Sequence, residues 1–490
     1  MKKKKAVPPA PQQEQASLPP LVIQPLTDHG NARMLEKCFG PRLKCVEETR
    51  EFLVYDGKRW APSNKALAKM VRVVGIMRYK EAKYAGPIVT TTGEVLEPKE
   101  VLKWANKTMN KGRLQAMKDV AASLPGIAAS IADFDRHDWL LNLRNGTLDL
   151  ETGKLRRHEP KDRLTQIANA NYDPNATCPL WLAFLQQIAL GQSALIRFLQ
   201  MVVGYVLSGV VTEQVLFLLV GKGANGKSTF LEVIFEIMGE YSKTTPGHTF
   251  IKSESRAIRN DLARLKGARY VSAVEINMGK ALDEALVKRL TGGDRIAARF
   301  IGKEFFEFFP QAKFFLAVNT FPHVSGADDG IFRRIVVVPF QASFTGDQID
   351  KHLGEKLKAE RDGIMAWAVE GFKMWQESGT LEIPTVVQTA SSDFRAEMDV
   401  LAEFQEDRCE KGPDFRVPVA EVFDAYLGWA KAATQDAMGK KTFGMLMRQK
   451  GHRQVKSGST RYWTGLRLRH DPVHTIPAPT LEGQELKQAA

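Results

Sequence analysis

Gly221-Lys-Gly-Ala-Asn-Gly-Lys-Ser228 is the stretch from which the rest of this 490-residue chain can be read. It fits the pattern GxxxxGK[ST]. An apolar, strand-like run (Val215 to Val220) precedes it, and a helical segment that Thr229 begins follows. Glycines let backbone N–H groups curl around phosphate oxygens, and the N-terminus of the following helix adds positive dipole. In that setting Lys227 would reach the β- and γ-phosphates of ATP, and the Ser228 hydroxyl would ligate Mg²⁺. The expected ATP-binding set is Gly221, Lys222, Gly223, Ala224, Asn225, Gly226, Lys227, Ser228 and Thr229. A chance match to the pattern is the competing reading; the strand before and the helix after argue against it.

Downstream, apolar runs at Ala268 to Val274, Phe314 to Val318 and Ile335 to Pro339 alternate with helical segments. Short buried strands separated by helices imply a parallel α/β sheet. Arg269-Tyr-Val-Ser-Ala-Val-Glu275 reads as a strand ending in a carboxylate that would face the phosphates and polarise water. Ile276-Asn277 follows, with no second acid, so Ser228 and Glu275 are the expected metal ligands and Asn277 a weaker candidate. Lys313-Phe-Phe-Leu-Ala-Val318 ends in Asn319, an amide placed to position the lytic water and sense the γ-phosphate; its bland alternative is a turn residue. Arg333-Arg334 stands just before the last of these strands. An arginine supplied by a neighbouring subunit stabilises charge developing in phosphoryl transfer, and Arg334 is preferred over Arg333, with a surface salt bridge as the alternative. Lys227, Glu275, Asn319, Arg333 and Arg334 form the candidate catalytic set.

Arg295 to Phe300 and Glu304 to Phe309 read as the two arms of a hairpin turning at Ile301-Gly302-Lys303. A lysine at such a tip would grip a phosphate backbone without reading bases, with Arg299 and Arg295 in support. Between residues 431 and 470 ten basic side chains face one acid, Asp436. A short helix (Lys441 to Arg448) precedes a glycine-tipped hairpin ending in Tyr462 and Trp463, an order that suggests a winged helix. Lys441 and Arg448 would lie beside a groove and Lys456 on the wing. The alternative is a solvated basic face.

The N-terminal region carries no catalytic constellation. Residues 65 to 83 and 99 to 132 read as helices, and Asp56-Gly57, Asn145-Gly146 and Thr152-Gly153 read as turns between short strands. Gly354 to Ser378 reads as one amphipathic helical segment.

With these motifs in order, the chain resembles the superfamily 3 helicases, in the phage, plasmid and poxvirus branch of NTPase–helicases. Asp261 to Arg269 is similar to the segment before that family's acid strand, and Leu290 to Arg299 to its extra motif before the sensor. The resemblance covers about residues 31 to 470. It implies an AAA+-like P-loop core with an N-terminal α+β domain and a C-terminal winged-helix-like domain. It also implies hexameric rings, Mg²⁺-ATP and 3′ to 5′ translocation on single-stranded DNA. The expected division is a loose tail at 1–30, an accessory domain at 31–207, the motor at 208–380, a DNA-binding domain at 381–470 and a tail at 471–490.

Composition agrees with a globular chain, 44% apolar and 26% charged, and its net charge of +13 favours a polyanionic partner. No apolar run is long enough for a transmembrane helix. The four cysteines are scattered, without metal-ligand spacing, which fits a reducing cytoplasm, that of a bacterial host. The expected activity is that of a replicative DNA helicase of a mobile element, acting on single-stranded and forked DNA as a homo-oligomer, with a separate primase or initiator as a further partner. An origin-binding initiator that melts DNA locally is the alternative, and a nucleotide-switched interaction protein a third. No paired acids for primer synthesis are visible.

Overall fold

Leu216–Val220 is apolar at every position, so both of its faces must be covered, and the strands and helices on either side supply the cover. The computed structural model describes residues 25–89, 94–252, 260–274, 281–302, 304–324, 329–432 and 437–469. Helix α1 (Asp28–Phe39) starts within the stretch expected to be loose, because the Thr27 hydroxyl accepts the Gly30 N–H at 3.0 Å and caps it. Strands β1 (Leu43–Val46), β2 (Glu51–Tyr55) and β3 (Trp60–Pro62) pair antiparallel, with Asp56-Gly57 inside the β2–β3 turn. Helix α2 (Asn64–Tyr84), the pair β4 (Ile88–Val89) and β5 (Val95–Leu96), and helices α3 (Pro98–Thr108) and α4 (Lys111–Ala121) follow. The single helix expected over 99–132 is thus two: the extended backbone of Asn110 (ψ 145°) breaks it, and α4 returns against α1. Strand β6 (Ala128–Ala129) joins β1 in parallel. Then β7 (Leu140–Leu143), β8 (Gly146–Asp149) and β9 (Lys154–Arg156) form an antiparallel meander on the two glycine turns.

Helices α5 (Pro179–Ile188) and α6 (Ser193–Leu207) lead into the central sheet. Its elements are β10 (Leu216–Val220), α7 (Lys227–Met238), β11 (Ser242–Thr244), α8 (Asn260–Ala263), β12 (Tyr270–Val274), α9 (Glu284–Gly292), β13 (Ile296–Ala298), β14 (Phe306–Phe308), β15 (Lys313–Val318), α10 (Asp329–Phe332) and β16 (Ile335–Pro339). The strand order is β11-β12-β15-β10-β16, parallel throughout, while β13 and β14 form a separate antiparallel pair. Strand β11 was invisible to a hydrophobic-run reading because it is Ser-Lys-Thr. The segment expected as one helix at 354–378 is α11 (Leu353–Ala359) and α12 (Arg361–Ser378). At the break, the Glu360 carboxylate accepts the Leu180 and Trp181 N–H groups at 3.1 and 2.9 Å and so caps α5.

Helix α13 (Thr385–Glu397) leads to α14 (Val400–Arg408), β17 (Cys409–Pro418), α15 (Val419–Ala432), α16 (Lys440–Gln449), β18 (Gln454–Ser457) and β19 (Thr460–Leu468), with sheet order β17-β19-β18. Strand β17 is an addition to the two strands expected there. Contacts divide the chain into two compact units: one holds the chain up to Pro322 with Arg333–Ala390, the other His323–Phe332 with the chain from Ser391 onward. Within the second, Arg395 pairs with Asp329 and Phe332 meets Phe394 edge-on.

In the first unit one core runs without interruption from Leu141 through α5 and α6, the sheet and α12. Two features hold that junction. Helices α6 and α12 cross at glycines: a Cβ on Gly204 would sit 2.1 Å from Phe372 N, and one on Gly371 2.1 Å from Gln200 O. At the carboxyl end of α6, two buried cations receive its terminal carbonyls. The Arg269 guanidinium donates to Leu207 O and, at 2.8 Å, to Leu140 O, while Lys313 Nζ donates to Ser208 O at 2.5 Å. Burial pushes the Lys313 ammonium well below its ordinary pKa and lowers that of Arg269. Rings cover both: Arg269 lies 4.7 Å over Tyr241 and Lys313 4.5 Å over Tyr205.

Gly371→Ala is expected to cost about 1–3 kcal/mol, since the added methyl must push the packed helices apart. Urea unfolding reads this, and a midpoint equal to that of the parent would show that the crossing has slack.

Candidate active site

Because β10, β15 and β16 are parallel and in register, their carboxyl ends emerge at one edge of the sheet. Val220 pairs with Val318 and with Pro339. Gly221 and Asn319, each one residue further on, therefore leave the sheet side by side, and Asn319 is exposed. Gly221 admits no side chain, because a Cβ there would lie 2.1 Å from Asn225 Nδ2 and 2.4 Å from Phe340 O. Gly226, just before α7, has φ +84° and faces Ile188, so it also has to be glycine. The loop is tied to β16's continuation by Asn225 Nδ2, which donates to Phe340 O at 3.2 Å, and by Phe344 N, which donates to Ala224 O at 2.8 Å. Asn225 is thus buried scaffolding, a role that the motif alone did not reveal.

Lys227, at the first position of α7, is 5% exposed. Its ammonium donates to Gly221 O at 2.5 Å and to Asn225 Oδ1 at 3.2 Å, both neutral acceptors, and burial lowers its pKa. A desolvated cation at the amino end of a helix favours an anion there. Ser228 and Lys222 are exposed beside it, and Thr229 is half-buried. The donor set fits phosphate, and the Ser228 hydroxyl is open to a metal. Val274, the last residue of β12, pairs with Ala317. Glu275 and Asn277, which follow, lie outside the described residues.

Arg333 and Arg334 sit at the other edge. Leu216 N donates to Arg334 O at 2.7 Å, which places the pair at the amino end of β16. A strand of five residues separates the two edges by about 16 Å. Neither arginine is therefore placed for the loop of its own chain. Arg333 is exposed, while Arg334 is half-buried and donates to Gln214 Oε1 at 3.1 Å.

The hairpin is shorter than expected, with Ile296 opposite Phe308 and Ala298 opposite Phe306. Its alternation is strict: Ile296, Ala298, Phe306 and Phe308 are buried, whereas Phe305 and Phe309 are 61% and 60% exposed. Lys303 lies outside the described residues. Arg299 stacks 4.6 Å over Phe305, and Arg295 lies 5.3 Å over Phe309 while pairing with Glu307 at 2.9 Å. The outward face thus offers two arginine–aromatic pairs. The phenylalanines were missed because Phe305-Phe306-Glu307-Phe308-Phe309 does not by itself say which rings face outward.

In the second unit Lys441 and Arg448 lie exposed on α16, and Lys456 is exposed on β18 beside the Gly458 turn. Trp463 is fully buried in that unit's core, so it supports the fold and does not face a ligand.

Three family models match along the chain: "D5 N terminal like" over residues 32–189, a family of unknown function (DUF5906) over 219–334, and "Poxvirus D5 protein-like" over 396–460. The chain thus carries regions similar to D5-type N-terminal and poxvirus D5 domains, with homology to putative viral helicases and primases. The chain is 27% identical over 67% of its length to "Putative helicase L207/L206" of Acanthamoeba polyphaga mimivirus, covering 36% of that protein. It is 24% identical over 63% of its length to "Putative helicase 184R" of Invertebrate iridescent virus 6, again covering 36%. It is 22% identical over 62% of its length to "Putative primase C962R" of African swine fever virus, covering 34%. The chain spans about a third of the length of the curated relatives it matches. Among solved structures, the NrS-1 C-terminal region aligns over 86% of this chain and 96% of that one, at 9% identity and a TM-score of 0.47. No helix among the described residues is long and apolar enough to cross a membrane.

Gly221→Ala is expected to lower affinity for an ATP analogue by at least about tenfold, since its Cβ displaces Asn225 from Phe340. Calorimetric titration checks this, and parent-like affinity would show that the loop tolerates the side chain.

Proposed function

We propose that the chain is the ATP-hydrolysing subunit of a DNA helicase that acts in replication of a virus, phage or other mobile element. The observation that carries this reading is the separation of two half-sites on one parallel sheet. The Gly221–Ser228 loop with buried Lys227 stands at the carboxyl edge, and Arg333-Arg334 stands at the amino edge. A site assembled from one copy's loop and the next copy's arginine requires head-to-tail association, which gives a ring when the rotation between copies closes. Hexamers and 3′ to 5′ movement on single-stranded DNA belong to the reading through the family resemblance.

In this reading Lys227 and the loop N–H groups hold the ATP phosphates, and Asn319 positions the attacking water. Ser228, with Glu275, would hold Mg²⁺, which neutralises charge on the phosphates. Arg333 is the better exposed candidate for the neighbour's finger, with Arg334 fixed beside it by Gln214. The hairpin would grip single-stranded DNA through Lys303 at its tip, and the Phe305 and Phe309 rings, backed by Arg299 and Arg295, would stack on bases without sequence preference. Exposed Lys441, Arg448 and Lys456 support duplex contact by a winged-helix-like second unit, the observation that favours an origin-binding initiator as the second reading.

Lys227→Ala is expected to abolish ATP hydrolysis, while Lys303→Ala spares basal hydrolysis and loses strand displacement on a 3′-tailed fork. Arg333→Ala should lose hydrolysis alone yet restore it when mixed with Lys227→Ala, as each lesion spoils a different side of a shared site. ATPase assays on the separate and mixed proteins decide this; no recovery on mixing would put the arginine's role within its own chain. ATPase stimulated by single-stranded DNA without strand displacement would favour the initiator.

A further inference from the structure

Helix α2 has one face built into the core of the N-terminal region. Leu67, Val71, Val74, Gly75, Met77, Arg78 and Ala82 are all buried on it. Its opposite face is of a single sign. Lys65, Lys69, Arg72, Lys80 and Lys83 are exposed, interleaved with exposed Ile76 and Tyr79. At 100° per residue these positions fall within an arc of about 100°, forming a straight row about 27 Å long. Among the described residues none of the five cations forms an ion pair. The helix's one carboxylate, Glu81, turns inward to Arg78 at 3.3 Å.

A face kept only for solubility mixes signs and gains from Glu–Lys pairs one turn apart. This one has no such pair, and its like charges repel one another along the row. A polyanion relieves that repulsion by binding, with release of counterions. A membrane-surface helix would need a continuous apolar band flanking its cations, and here the apolar face is the one buried in the core.

We infer that the Lys65–Lys83 face of α2 is a third nucleic-acid contact, apart from the hairpin and the second unit, that tracks a phosphodiester backbone without reading bases. The inference rests on the DNA-dependent function proposed above. It assigns to the N-terminal region a grip on the strand, with Tyr79 available to stack on an unpaired base.

The test uses the full chain with Lys65→Gln, Lys69→Gln, Arg72→Gln, Lys80→Gln and Lys83→Gln combined. Glutamine keeps helix propensity while removing charge. A companion chain carries arginine at the four lysines. Fluorescence anisotropy with labelled single-stranded and forked oligonucleotides is read across a salt series, after circular dichroism confirms matching helix content. The expected result is a loss of affinity of at least about tenfold at moderate salt and a salt slope shallower by about 2 or more. Basal ATP hydrolysis should be unchanged, and the arginine chain should bind like the parent. A glutamine chain with the parent's affinity and slope overturns the inference and leaves the proposed function standing. A parent that binds no oligonucleotide overturns both. Parent binding to phosphatidylserine vesicles that the glutamine chain loses, with DNA affinity unmoved, also overturns it, in favour of a lipid surface.

Discussion

The joint between the central sheet and the helix before it depends on how the carboxyl end of α6 is finished. A helix ends with carbonyls that have no partner of their own, and burying them costs free energy unless a donor is supplied. Here the donors are basic side chains that come from the sheet: Arg269 just before β12 and Lys313 at the start of β15. A cation at a helix carboxyl end also complements the dipole. Desolvating two cations is expensive, and the carbonyls of Leu207, Ser208 and Leu140, together with the Tyr241 and Tyr205 rings, offset that cost. The amino edge of the sheet is thereby locked to the preceding helix. The carboxyl edge, where the glycine loop turns, inherits that fixed frame.

Strand direction then does the functional sorting. In a parallel sheet every strand presents its amino end on one side and its carboxyl end on the other. Loop and amide accordingly collect at one edge, and the arginine pair at the opposite one. No long-range coupling needs to be invoked for this separation; it follows from register alone. Helix α12 closes the assembly by crossing α6 at Gly204 and Gly371, bringing the chain beyond the last strand back onto the helix before the first.

Much of this was legible in the sequence. Four of the five parallel strands could be read because their residues are apolar almost without interruption, and the loop because its glycines and lysine carry a phosphate mechanism. What escaped reading did so for definable reasons. Ser242–Thr244 is polar and owes its strand state to pairing with β12. The interruption at Glu360 comes from a carboxylate needed to cap α5, a partner about 180 residues away in sequence. The hairpin phenylalanines could not be sorted into inward and outward without the register. Arg269 and Lys313 stand at strand starts, where a basic residue ordinarily reads as solvated, and nothing local signals that both are buried. Of the candidate residues, Glu275 and Lys303 lie outside the described residues, while Lys227, Asn319, Arg333 and Arg334 stand at the strand ends that the parallel register fixes.

The lock at α6 bears on modularity. A breakpoint at residue 207 or 208 would look natural, because the glycine loop and all five parallel strands lie beyond it. A fragment beginning there would keep Arg269 and Lys313 but lose Leu207 and the helix it ends, leaving two charged groups in a hydrophobic cleft. A joint made further upstream, before residue 137, would carry the His137 and Leu140 carbonyls along with α5 and α6 and spare the cations. The β7–β9 meander, α5 and α6 thus pack with the sheet as one unit, and its physical seam lies before residue 137, well ahead of the glycine loop.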